Sequence, residues 1–140
     1  MKTLILYYTF GGRSREEANR LAETEENATV CEVKEKRKRN LLTAFFSGCP
    51  KAMKRSCVKI RPLDCNPEEF EKIILIAPIW AGFPAPAFNS MVELLSTGKK
   101  VELYLCSSSG EAPKSKEGTC QLIKDKDCEL LSYHDVKTGK

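Results

Sequence analysis

Apolar residues fall along this chain in two alternating rhythms. Short continuous apolar runs predict strands buried on both faces, and i, i+3, i+4 spacings predict helices with one apolar stripe. Thr3 to Thr9 is the first such run. Arg13 to Glu26 follows, charged except for a stripe of Ala18, Leu21 and Ala22, with Glu16 and Glu17 suited to a helix N-terminal turn. Ala28 to Val33 predicts a second strand. Lys72 to Ala77 predicts a third, apolar throughout as a central parallel strand must be. Ala85 to Leu95 carries Phe88, Met91, Val92 and Leu95 at i, i+3, i+4 and i+7, the clearest helix in the chain. Pro84 and Pro86 sit at its start, where a missing N–H costs least. Lys100 to Cys106 predicts a fourth strand, followed by a helix around Ser115 to Asp125 and a strand within Cys128 to Val136.

Strand-helix-strand order with the most apolar strands in the middle predicts a parallel sheet with helices on both faces. No repeat or low-complexity linker interrupts the 140 residues, so one domain over residues 1–140 is expected. Ligands in such folds sit beyond the carboxyl ends of the strands. That rule directs attention to three loops. Thr9-Phe10-Gly11-Gly12-Arg13-Ser14 joins the first strand to a helix, and its glycines, hydroxyls and helix N-terminus suit a phosphate. Pro78-Ile79-Trp80-Ala81-Gly82 follows the third strand and holds the only Trp, an aromatic surface for a flat ring. Gly82 lets the Ala81–Gly82 peptide change orientation cheaply. Ser107-Ser108-Ser109-Gly110 follows the fourth strand and offers small polar donors. Together the loops suit a mononucleotide with a large planar head.

These residues resemble the flavodoxin family. Thr9, Gly12 and Ser14 match its phosphate loop, while Gly11 replaces a hydroxyl residue. Pro78 to Gly82 looks like its second loop, in which an aromatic stacks on the isoalloxazine. Ser107 to Gly110 stands where its third loop meets the flavin's polar edge, without the Tyr many members use there. The resemblance covers residues 1 to about 110. It implies a three-layer α/β sandwich around a parallel five-stranded sheet in the order 2-1-3-4-5. It also implies FMN as cofactor and an electron carrier as function. An FMN-dependent NAD(P)H or quinone oxidoreductase is the alternative. The usual last helix has no counterpart after the fifth strand. The face beside the first helix is therefore expected to expose apolar surface, to be covered by a second copy of the chain or a docked partner.

Charge adds a second feature. Net charge is +4, yet Lys34 to Arg61 holds ten Lys or Arg against one acid, Glu35. The remainder is net negative. Leu42, Phe45, Phe46 and Cys49 fall at helical spacing within this block. A basic amphipathic helix is expected, its apolar face packed on the sheet or near the flavin. Its charge suits an acidic redox protein partner.

Other classes find less support. There is no apolar run of bilayer-spanning length, and the start lacks the long apolar core of a signal peptide, so a cytoplasmic protein is expected. Seven cysteines without a Cys-x-x-Cys pair read as reduced thiols rather than disulfides or a metal site. His134 is the only histidine, and Gly-x-Gly-x-x-Gly is absent. Thr9 and Ala77 stand where a phosphorelay receiver needs acids. Cys49-x5-Arg55 formally matches a cysteine phosphatase, a remote alternative because no glycine lies between them.

Overall fold

A computed structural model of the chain describes residues 2–138. Strands β1 (Thr3–Tyr7), β2 (Ala28–Glu32), β3 (Lys72–Trp80), β5 (Lys100–Ser107) and β6 (Glu129–Lys137) form a parallel sheet in the order β2-β1-β3-β5-β6. This is the expected succession of five parallel strands. A sixth strand, the two-residue β4 (Phe83–Pro84), corrects the expected count. It arises because β3 runs on to Trp80 and turns back, pairing antiparallel with its own end.

Side-chain alternation divides the sheet into two cores. Leu4, Leu6, Ile73, Leu75, Val101, Leu103 and Leu105 face one layer. Phe88, Met91, Val92 and Leu95, in and just after α4 (Pro86–Glu93), pack there, as does Ile123 of α5 (Pro113–Asp125). Ile5, Tyr7, Ile74, Ile76 and Cys106 face the other side, against Ala18 and Leu21 of α1 (Arg13–Thr24). The stripes read from the sequence in α1 and α4 are thus the buried ones.

The α1 face departs from expectation at its far end. Beyond α1 the sheet presents polar cover rather than apolar surface. Tyr104 stacks on His134 at 4.2 Å and 10°. The Lys72 ammonium bridges Glu25 at 3.0 Å and Glu102 at 2.8 Å, and the Tyr104 hydroxyl donates to Glu102. A bulge opposite Val101 and Glu102 turns Leu131 outward. The large exposed apolar side chains lie mainly elsewhere, between Leu41 and Met53.

Burial has a consequence at high pH. It pushes the Cys106 thiol up to about 11 and the Tyr104 hydroxyl, also beside Glu102, up to about 12. Burial and the adjacent Cys31 thiol push Cys65 up to about 12. In the unfolded chain these groups ionise first, so their burial stabilises the fold only while they stay protonated. The urea midpoint should therefore fall as pH rises from about 9 to about 12. A midpoint constant over that range would contradict the assignment.

Candidate functional site

The first loop is folded by its own side chain. Thr9 Oγ1 accepts from the Gly12 N–H at 2.8 Å, and Gly12 adopts φ 93°, which only glycine takes without strain. A Cβ on Gly11 or Gly12 would meet nothing within 4 Å, so the loop backbone borders open space. Among the described residues no side chain caps α1. Its first-turn amides therefore lack intrahelical acceptors and carry the positive end of the helix dipole. Ser14 is 1% exposed, and among the described residues its hydroxyl makes no hydrogen bond of normal geometry, its neighbour being the weakly accepting Cys106 thiol. Leaving a buried hydroxyl unpaired costs about 1–3 kcal/mol. An anion's oxygen is the group that fits such a donor at a helix N-terminus. The half-exposed Arg13 guanidinium lies 3.8 Å from Glu16.

A cleft of about 190 Å³ opens at this corner of the sheet. Thr9, Phe10, Gly11, Arg13 and Ser14 line it from the first loop, and Pro78, Ile79 and Trp80 from the end of β3. Ser107 and Ser108 line it from the third loop. Gly12, Ala81, Gly82, Ser109 and Gly110 lie outside its wall. Cys106 and Thr138 join the lining without having been singled out from the sequence. Thr138 donates its N–H to the Ser107 carbonyl at 2.9 Å, directly after the fifth parallel strand. Applying the strand-end rule to that last strand would have found it.

The second loop is a tight hairpin. Ala81 at φ 53° and Gly82 at φ 87° follow each other in the left-handed region, between the paired Trp80 and Phe83. For Ala81 that conformation costs about 1–2 kcal/mol. In the third loop Ser107 Oγ accepts from the Gly110 N–H at 3.0 Å, and Ser109 donates to the Glu111 carbonyl. Two of the three serine hydroxyls therefore shape the turn. Gly110, at φ 83°, packs against Lys137.

Trp80 differs from expectation. It is a strand residue, and its ring is half-buried rather than an open loop platform. Tyr8 and Phe10 meet it edge-on at 6.0 and 5.7 Å. The Arg39 guanidinium lies 5.6 Å from its ring centre, and Gly48 packs on its edge. Behind it is a buried carboxylate. Glu35 Oε2 accepts from the Tyr8 hydroxyl and from Arg39 Nε, each at 2.6 Å, and the Glu35 and Arg39 side chains are each under a tenth exposed. Burial, reinforced by Glu35, pushes the Tyr8 hydroxyl far above the ordinary tyrosine range. Arg39 also donates to the Thr43 carbonyl and Ser47 Oγ. The sequence signal for this cluster was the single acid in the basic block, four residues before Arg39.

This clamp overturns the expected orientation of the basic helix. The segment forms α2 (Leu41–Thr43), a π-helical turn over Ala44–Gly48 and α3 (Cys49–Met53). Its small residues Ala44, Gly48 and Ala52 face inward, because the Trp80 ring leaves no room for a side chain at Gly48. Leu42, Phe45 and Phe46 face solvent at 63%, 68% and 68% exposure. The phosphatase alternative is excluded by the same region. Residues 49–53 are helical rather than a loop circling an anion. Arg55 is committed to the Ser115 carbonyl and Thr119 Oγ1, where it anchors α5.

No family model matches the chain, and no curated protein does. Solved structures do. The fold superposes on a Lactobacillus acidophilus NCFM flavoprotein, solved in complex with FMN, with a TM-score of 0.79 at 18% identity over 94% of this chain and 91% of that one. A Bacteroides eggerthii protein provisionally named a flavoprotein gives 0.80 at 15% identity, covering 95% and 86%. A flavodoxin from Streptococcus pneumonia TIGR4 gives 0.57 at 10% identity, covering 100% and 88%. The chain has the flavodoxin-like fold.

The packing of Trp80 is testable. A Cβ at Gly48 would lie 2.6 Å from its ring. Gly48→Ala should destabilise the fold by about 1–3 kcal/mol and shift the emission of this lone Trp. Unchanged emission and stability would contradict the contact.

Proposed function

We propose that this chain binds FMN non-covalently and serves as an electron carrier, exchanging electrons with redox protein partners. The observation that carries the reading is the buried, unpartnered Ser14 hydroxyl at the uncapped start of α1, on a cleft that also contains Trp80. Ser14 Oγ and the first-turn amides supply donors for a phosphate. Phe10 and Trp80 supply aromatic surface for a planar ring, and Ser108 a polar rim. Bound FMN would supply one- and two-electron redox chemistry, while the protein sets its affinity, access and potential. The strained Ala81–Gly82 turn beside Trp80 supports this use, since such strain gathers at ligand clamps. The FMN complex of the Lactobacillus flavoprotein, which shares the fold, supports the choice of ligand.

The carrier is preferred to an FMN-dependent NAD(P)H or quinone oxidoreductase because the chain has no separate dinucleotide motif. Two separated one-electron stages in an anaerobic titration would fit the carrier. Rapid two-electron reduction by a nicotinamide would fit the enzyme.

The site is tested by FMN titration of variants. Ser14→Ala removes one hydrogen bond to a charged group and should weaken binding about tenfold or more. Gly12→Val should weaken it further, because valine strains the loop at φ 93° and crowds the phosphate approach. Trp80→Ala should lower affinity and shift the potential. Parent-like affinity in all three would place the flavin elsewhere.

A further inference from the structure

The segment between β2 and β3 carries two exposed features on one body. Leu41 is 80% exposed, and Leu42, Phe45, Phe46 and Met53 stand out with it. Phe45 and Phe46 pack only on each other among the aromatic pairs, edge to face at 5.3 Å. The same stretch of chain carries the exposed cations Lys36, Arg37, Lys38, Lys51, Lys54 and Lys59. No acidic residue occurs from Lys36 to Leu63. Glu35 is already committed to Arg39, and among the described residues none of these cations is in an ion pair. Lys36, Arg37, Lys38, Lys51 and Lys59 border a cleft of about 710 Å³ beside the π-helical turn.

We propose that this surface docks the protein on an anionic phospholipid membrane, the cations on the headgroups and the Leu41, Leu42, Phe45 and Phe46 side chains in the acyl boundary. An apolar face ringed by Lys and Arg is the pattern of an interfacial helix, whose binding combines apolar burial with attraction to anionic lipid. Charge complementarity selects the occupant. A second copy of the chain would bring the same uncompensated cations against these. An acidic protein would satisfy the charge, but protruding, separately exposed apolar side chains need matching pockets there, whereas a lipid surface accommodates them by depth alone. No described helix is long and apolar enough to cross a membrane, so the contact is peripheral. Gly48 packs on Trp80 from the same segment, so docking would hold the Trp80 corner of the sheet close to the bilayer. This inference stands apart from the FMN reading and is tested without flavin.

The full chain is sedimented with vesicles of phosphatidylcholine alone and of two parts phosphatidylcholine to one part phosphatidylglycerol. It should pellet with the anionic vesicles only, and salt should release it. Replacing both aromatics (Phe45→Ser with Phe46→Ser) should lower partition by about tenfold or more at unchanged circular dichroism. Lys36→Glu with Lys38→Glu should also lower it. No partition into anionic vesicles at low salt would overturn the proposal, as would equal partition into neutral ones. So would a serine variant that partitions like the parent. Poly-glutamate binding by parent and serine variant alike, without vesicle binding, would assign the surface to an acidic protein. Self-association abolished by the serines, without vesicle binding, would assign it to a second copy.

Discussion

Parallel register is the constraint from which the rest of this structure follows. β1, β3 and β5 lie side by side and run the same way, so their carboxyl ends deliver three loops to one edge of the sheet. Where α1 covers one face and α4 and α5 the other, as over Ile5, Leu6, Ile74 and Leu75, the alternating side chains must also be apolar on both sides. The loops are then free of packing duties and carry the polar groups. That division explains why a buried serine hydroxyl can stand unpartnered at the start of α1 while the strands behind it are closely packed.

A second constraint sits at the corner of the sheet. Glu35 is a carboxylate with little exposure, and it persists because Tyr8 and Arg39 both donate to it. Removing one partner of such a buried pair costs about 3–5 kcal/mol, since the other charge is left alone. Arg39 extends the tie to Thr43 and Ser47, and Gly48 closes on Trp80. The helical segment is thus held by its polar and small residues. Its large apolar residues have nothing left to cover within the chain.

The strands and the three loops were legible because each depends on local pattern. Lys72 to Ala77 could only be a central strand, and Phe88 to Leu95 only a core-facing stripe. The extension of β3 to Trp80 was not legible, since it depends on the two-residue turn at Ala81–Gly82 rather than on apolarity. Nor was the orientation of the basic helix. Its periodicity gave a correct stripe, but which stripe faces inward was decided by the long-range contact of Gly48 with Trp80. The polar cover of Tyr104, His134, Lys72 and Glu102 was hidden for a similar reason. Those residues come from three strands, β3, β5 and β6, and meet only through strand register and the bulge in β6.

Flavin binding is expected at the corner where α1 begins. The most direct measurement is the backbone amide spectrum of isotopically labelled protein as FMN is added in steps. Saturable shifts are expected of the Gly11 to Arg15 amides, of the Trp80 indole and of Ser108, with α4 and the far end of α5 unmoved. Saturable FMN binding that leaves Gly11 to Arg15 unchanged, or no binding at all, would contradict it.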